Sequence, residues 1–204
     1  MKSRRWKLFW LIVVIALCII AVKVAPIIKL GYQMYHEAID TTSLQVKVAE
    51  IQSDDSYATL DEISPFFITH VIESEDRRFY DHRGINLSST ARAFLKNIET
   101  GTTTEGGSSI TQQLAKNMYF SFEKRYERKV AELFVAFDLE KAYSKNDILE
   151  LYCNIAYFGE GCYGIKEATL HYYGIEPNEL TLEQAEILVK TLKSPNIYNP
   201  NTLK

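Results

Sequence analysis

The chain has 204 residues, 47% hydrophobic and 24% charged, an ordinary globular composition with room for one domain and an appendage rather than two full domains. Its formal charge of −3 hides a split, because the first 29 residues hold six Lys or Arg and no carboxylate, leaving 17 basic against 26 acidic side chains in the remainder. That balance excludes a generic nucleic-acid binder, and any anionic substrate must be met by local basic clusters.

In chain order, Leu8 to Val22 is an unbroken apolar run, interrupted by Lys23 and resumed from Val24 to Ile28. At helical rise these 21 residues reach about 31 Å, the thickness of a bilayer's hydrocarbon core. Lys23 lies where its stem reaches the headgroups, and Trp6 and Trp10 lie near the inner interface. Lys2, Arg4, Arg5 and Lys7 assign residues 1–7 to the cytoplasm and 8–28 to a single membrane anchor. Cleavage of the run as a signal peptide is disfavoured, since a cut after Ala25 puts Lys23 at −3 and Pro26 at +1. No small residue precedes Cys18, so a lipoprotein site is disfavoured too. Residues 29–57 are expected to form a linker, with a short strand where Leu44, Val46 and Val48 alternate with polar neighbours and a loop from Gln52 to Tyr57.

From there to residue 204 the signals are helical. Ser64-Pro65 and the Ser109–Gln112 capping box mark helix starts, while Gly84, Gly159, Gly161 and Gly174 punctuate ends. Thr100 to Gly107 reads as the most flexible stretch. Cys153 and Cys162 are open to pairing in an oxidising compartment, but nothing in their spacing requires it, and two small semi-buried residues is the simpler reading.

Four segments carry residues suited to chemistry. In Ser64 to Gly84, Glu75 falls on the helix face of Ile68, Val71, Ile72 and Phe79, with His82 close by. A carboxylate in an apolar stripe must find a partner, face a cleft or have its pKa raised, and on these residues alone a buried structural ion pair ranks ahead of a catalytic base. In Gly106 to Tyr119, Gln113, Lys116 and Asn117 share a face behind a Gly-Gly-Ser-Ser turn able to present N–H groups to an anion; a solvated, capped helix is equally consistent. Arg128 and Glu132 stand four apart, either a routine ion pair or a second carboxylate with a cation beside it, paired carboxylates being the usual equipment for chemistry at an anomeric carbon. Glu150 and Asn154 share a face beside a glycine-rich loop. Ser121 to Lys124 matches the S-x-x-K motif of penicillin-recognising enzymes by chance, since S-D-N and K-T-G are lacking.

Together these segments resemble the peptidoglycan glycosyltransferases of glycosyltransferase family 51, in particular the monofunctional membrane-anchored type. Glu75, Asp76, Phe79, His82 and Gly84 match one block; Gly106, Ser108 to Leu114, Lys116 and Asn117 a second; Arg128, Lys129 and Glu132 a third; Ile148 to Glu150, Tyr152 and Asn154 a fourth. A weaker block runs through Gly164, Glu167, Ala168 and Tyr172 to Gly174, and Pro195, Tyr198 and Pro200 close the match. The resemblance implies a mainly α, lysozyme-like glycosyltransferase domain over 58–204, on the outer face of a bacterial cell membrane behind one transmembrane helix. It implies polymerisation of lipid II onto a lipid-linked glycan chain, with inversion and release of polyprenyl diphosphate. Glu75 would deprotonate the acceptor hydroxyl, and Glu132 with Lys116, Arg128 and Lys129 would assist the leaving diphosphate. A divalent cation, magnesium or manganese, is an optional assistant near Glu75 or Glu132. Asp76, Phe79, His82, Ser109, Gln113, Asn117, Glu150 and Asn154 would shape the substrate sites.

Ser109 stands where the family usually has threonine, which keeps the hydroxyl, and Thr169-Leu170-His171 departs from an otherwise small and aromatic block. Ile85 to Gly107 resembles the family's mobile, membrane-proximal region, with Phe94, Leu95 and Ile98 as its apolar face. Relatives usually continue past the position of Lys204 into a basic helix, so either the chain is a truncated form or the fold closes without that element. The rival readings are a peptidoglycan-cleaving enzyme and a non-catalytic anchored scaffold that recruits other cell-wall synthesis proteins. The basic clusters oppose the first, and the joint presence of Glu75, Lys116, Arg128 and Glu132 opposes the second.

Overall fold

A computed structural model of the chain describes residues 2–100, 106–121 and 125–202. Among them lie nine α-helices: α1 (Lys2–Thr41), α2 (Leu44–Gln52), α3 (Pro65–Glu75), α4 (Leu87–Thr100), α5 (Ile110–Tyr119), α6 (Tyr126–Ala142), α7 (Lys145–Ile155), α8 (Ile165–Tyr173) and α9 (Leu182–Lys193). Three short 3₁₀ turns complete the described regular structure, which contains no strand, and the mainly α expectation holds.

Local chemistry sets most boundaries. Ser109, Ser144 and Thr181 each accept from the backbone N–H three residues on, and the residue there reaches back, so α5, α7 and α9 all begin with capping boxes. Pro65 opens α3, and Gly174, at φ 66°, closes α8 in the left-handed conformation. α1 is long and apolar enough to cross a membrane. It passes through Pro26 without ending, although that residue has no N–H to give the helix ladder.

The strand expected over Leu44–Val48 is instead the start of α2. Ser43 caps that helix by accepting from the Val46 N–H at 3.4 Å. Leu44 and Val48 are buried while Val46 is half exposed, which is a helical i, i+4 face rather than one side of a strand. An alternation only five residues long matched both periods, and the cap decided. The linker expected over 29–57 is likewise mostly helix, with only the break at 42–43 and the loop near 53–57 irregular. Residues 29–41 extend α1 along α6, where Tyr35 donates to Asp138 Oδ2 at 2.6 Å and Tyr32 meets Phe134 at 5.1 Å between ring centroids.

The core gathers around α5, which packs on α6 and α7, while α3 packs on α9. Phe67, Val71, Phe79, Ile110, Leu114, Val135, Leu139, Ile148, Leu149, Phe158, Ile165 and Leu188 are fully buried. Cys153 and Cys162 are buried with free thiols, and burial pushes both thiols above their ordinary pKa. The loop after α7 returns through Gly164, at φ +85°, where a Cβ would lie 2.5 Å from the carbonyl oxygen of Asn154, so only glycine fits.

Glu150 and Asn154 act within this framework. Asn154 accepts from the Ala58 N–H and donates to the Ala58 carbonyl, both at 2.8 Å. Glu150 accepts from the Tyr57 hydroxyl at 2.5 Å and the Leu60 N–H at 2.8 Å. The pair thus fastens the segment 57–60 to α7. Asn154→Ala leaves the buried Ala58 peptide without partners and is expected to cost about 2 kcal/mol, read from denaturant unfolding in detergent; unchanged stability would remove the structural assignment.

Candidate active site

The site is built where α3 ends and α5 begins. Asp76 leaves the helix at φ −157° and turns its carboxylate inward, where the residue is only 3% exposed. One oxygen accepts from His82 Nε2 at 2.8 Å and from the Ile110 N–H at 3.2 Å, and the other from Asn86 Nδ2 at 3.0 Å. Ile110 is the first residue of α5, so a buried negative charge sits on that helix's positive end. Ser109, beside it, donates to the Gly84 carbonyl at 2.5 Å.

This clamp brings Glu75 alongside the next turn of α5. Gln113 Nε2 donates to Glu75 Oε2 at 3.0 Å, and Gln113 Oε1 accepts from the Tyr152 hydroxyl of α7 at 3.3 Å. The amide is oriented by chemistry: a carboxylate takes only a donor, and burial keeps the Tyr152 phenol protonated by raising its pKa. Glu75 therefore finds a partner and also faces a cleft, two of the three outcomes its apolar setting demanded.

That cleft has a volume of about 880 Å³ and is lined by Glu73, Glu75 and Asp76 against Arg77, Arg78, Arg92, Lys116, Lys129 and Lys193. Six cations facing three carboxylates make it locally positive in an acidic domain. The ammonium of Lys116 is held below its ordinary pKa chiefly by burial; Glu132 and Glu75 oppose that shift, while Lys129 and Arg128 reinforce it. Lys116 thus feels both glutamates.

On α6, Glu132 is fully buried. Lys129 Nζ lies 2.6 Å from Oε2 and also donates to Ser108 Oγ at 2.8 Å, bridging to the turn before α5. Arg128 Nε lies 3.1 Å from Oε1 but off the hydrogen-bonding line, so this ion pair leaves both atoms without a hydrogen bond, while Arg128 Nη1 donates to the Ser121 carbonyl at 2.7 Å. Both Glu132 oxygens already face cations, so that carboxylate has no open oxygen for a resident cation, while Gln113 takes one oxygen of Glu75. No group of three or more potential ligands occurs among the described residues.

The structure divides the expected site residues. Glu75, Asp76, Gln113, Lys116 and Lys129 line one cleft, with Arg128 and Glu132 joined to it through Lys129. Phe79, His82 and Ser109 support it from behind: Phe79 is fully buried under Lys145, whose Nζ lies 4.3 Å from the ring centroid. Asn117 faces a separate cavity of about 390 Å³ that also includes Asn154, Tyr157 and Tyr163, and Glu150 lines neither. Within the described part of residues 85–107 lies a helix, α4, with Leu87 and Leu95 exposed. The side chains of Phe94 and Ile98, and residues 101–105, lie outside the described residues.

Tyr152, Arg77, Arg78, Arg92 and Lys193 were missed as site residues. A buried phenol needing a partner was a usable signal for Tyr152, but Lys193 arrives only through the packing of α9 on α3. Asp76→Ala should strand three donors and lower stability by on the order of 3 kcal/mol, while Asp76→Asn, which keeps one acceptor, should lose less; equal losses in chemical denaturation would contradict the clamp.

The sequence profile described as Transglycosylase matches residues 43–204. The chain is 34% identical over 206 residues to the biosynthetic peptidoglycan transglycosylase of Janthinobacterium sp. (strain Marseille), covering 98% of this chain and 89% of that protein. It is 36% identical over 164 residues to the monofunctional glycosyltransferase of Staphylococcus aureus (strain JH9), covering 77% and 61% of the two. Penicillin-binding protein 1F of Bacillus subtilis (strain 168) is 36% identical over 211 residues, but the chain spans only 29% of that longer protein. With a profile covering the domain that holds the Glu75 cleft, and a relative matched over nearly its whole length, this chain belongs to the transglycosylase family.

Proposed function

We propose that the chain is a membrane-anchored peptidoglycan glycosyltransferase that extends lipid-linked glycan strands with lipid II. The observation that carries this reading is a hydrogen-bonded carboxylate, Glu75, in a cleft whose other charged walls are predominantly cationic. A hydrolase of finished glycan has no comparable need for those cations. A lipid diphosphate does, because negative charge grows on it as the glycosidic phosphate bond breaks.

Each residue then has a task. Glu75 takes the proton of the acceptor sugar's 4-hydroxyl. That oxygen forms a bond to the donor's anomeric carbon from the face opposite the diphosphate, the bond to phosphate oxygen breaks, and configuration inverts. Gln113, anchored by Tyr152, fixes one Glu75 oxygen, and the other, which the Ser74 hydroxyl approaches at 3.5 Å, takes the proton. Lys116, Lys129 and Arg128 meet the departing diphosphate, and buried Glu132 holds the last two in position. The helix α1 crosses the bilayer with its basic end in the cytoplasm, leaving the domain on the outer face where the lipid-linked substrates lie.

Glu75→Gln keeps the hydrogen-bonding shape but cannot accept a proton, and should lower polymerisation by about 10²-fold or more. Incubation with lipid II and gel separation of glycan chains measures this, and parent-like turnover would refute the assigned base. The ordinary charge of Lys116 is lost as pH rises through a pKa below that of free lysine, so kcat/KM should fall on the alkaline side. Lys116→Arg keeps its charge there, and a pH–rate profile should show the alkaline limb moving to higher pH.

A further inference from the structure

α1 does not end where its apolar stretch ends. Ile28 is the last residue of that stretch, Lys29 follows, and the helix continues to Thr41. This extension lies tight against α6 at buried Gly31, where a Cβ would lie 2.5 Å from Val130 Cβ and 2.6 Å from the Glu127 carbonyl oxygen. Further along, Tyr32 packs on Phe134 and Tyr35 donates to Asp138. Positions rise together on both helices, so they run parallel and the first turns of α6 lie nearest the membrane. Those turns carry Arg128 and Lys129.

From Ile28 to Gly31 the helix climbs about 5 Å. The headgroup layer adds about 5–7 Å to each side of the hydrocarbon. The start of α6 therefore lies at the depth of lipid phosphates.

Building on the proposed function, we infer that the α1–α6 contact at Gly31 is a depth gauge. It holds the Arg128–Lys129–Glu132 cluster level with a membrane lipid's diphosphate, so the substrate's linkage reaches the cluster while its lipid tail stays in the bilayer. Gly31 is a positioning residue in this scheme, since any side chain there would push the helices apart.

Length below the contact is the variable to change. Seven helix-forming residues inserted between Lys29 and Leu30 would lift the domain by about 10 Å without touching Gly31. They also turn it about the α1 axis, to which a bilayer is indifferent. In nanodiscs, this rigid variant should polymerise long-chain lipid II at least about tenfold more slowly. Its rate on a water-soluble short-chain analogue should be unchanged, and a seven-residue Gly-Ser insertion at the same place should lose less. Parent-like rates on the long-chain substrate, or equal losses on both substrates, would overturn the inference.

Depth is also readable without catalysis. Tyr126, 79% exposed beside the cluster, is changed by Tyr126→Trp in a chain carrying Trp6→Phe and Trp10→Phe. Headgroup-spin-labelled lipid should quench this tryptophan strongly, and the rigid insertion should relieve the quenching. Absence of quenching before insertion would refute the gauge, whereas a chain that shows the quenching but polymerises neither substrate would refute only the proposed activity.

Discussion

A single buried carboxylate fixes the geometry on which everything else in the domain depends. Asp76 has left its helix, is almost without solvent, and must be compensated by donors from the protein. Those donors come from the turn that follows (His82), from the segment leading to α4 (Asn86), and from the first peptide of α5 (Ile110). Because the last of these is backbone, the constraint acts on the helix itself rather than on a mobile side chain. The end of α3 and the start of α5 are thereby locked in register, which places Glu75 beside Gln113. Asp76 thus acts through position, and without it Glu75 has no fixed address.

α6 is the second organising element, and its faces divide the labour. One face carries Arg128 and Glu132 toward the cleft; another receives the extension of α1 through Gly31 and Tyr35. Burying Glu132 costs desolvation free energy, and two cations beside it offset that cost. The cations in turn are held where a free lysine or arginine would wander. Within a domain rich in carboxylates, such anchoring concentrates positive potential in one concavity while the remaining surface keeps its acidic character.

The helical boundaries were legible because capping is local: Ser109 with Gln112, Pro65 and Gly174 needed no knowledge of the fold. Leu44, Val46 and Val48 misled because a short apolar alternation does not separate a strand from a helix when the decisive signal is one serine before it. The Glu75 face was readable from helical spacing, and its companions on α5 and α6 from their own spacing, since each group lies within one or two turns. That Glu150 and Asn154 secure a distant segment, and that Lys193 enters the cleft, depends on contacts between residues about 90 to 120 positions apart. No periodicity encodes such meetings; they follow from how whole helices stack.

The buried sulfur of Cys153 carries a consequence of its own. A thiol that remains protonated and sealed in the core offers no thiolate to peroxide, metal or alkylating reagent. Where reducing systems are scarce, an accessible cysteine invites adventitious cross-linking. Enclosed on α7, this one behaves as a compact aliphatic filler, and the domain keeps a redox-sensitive atom without acquiring redox sensitivity.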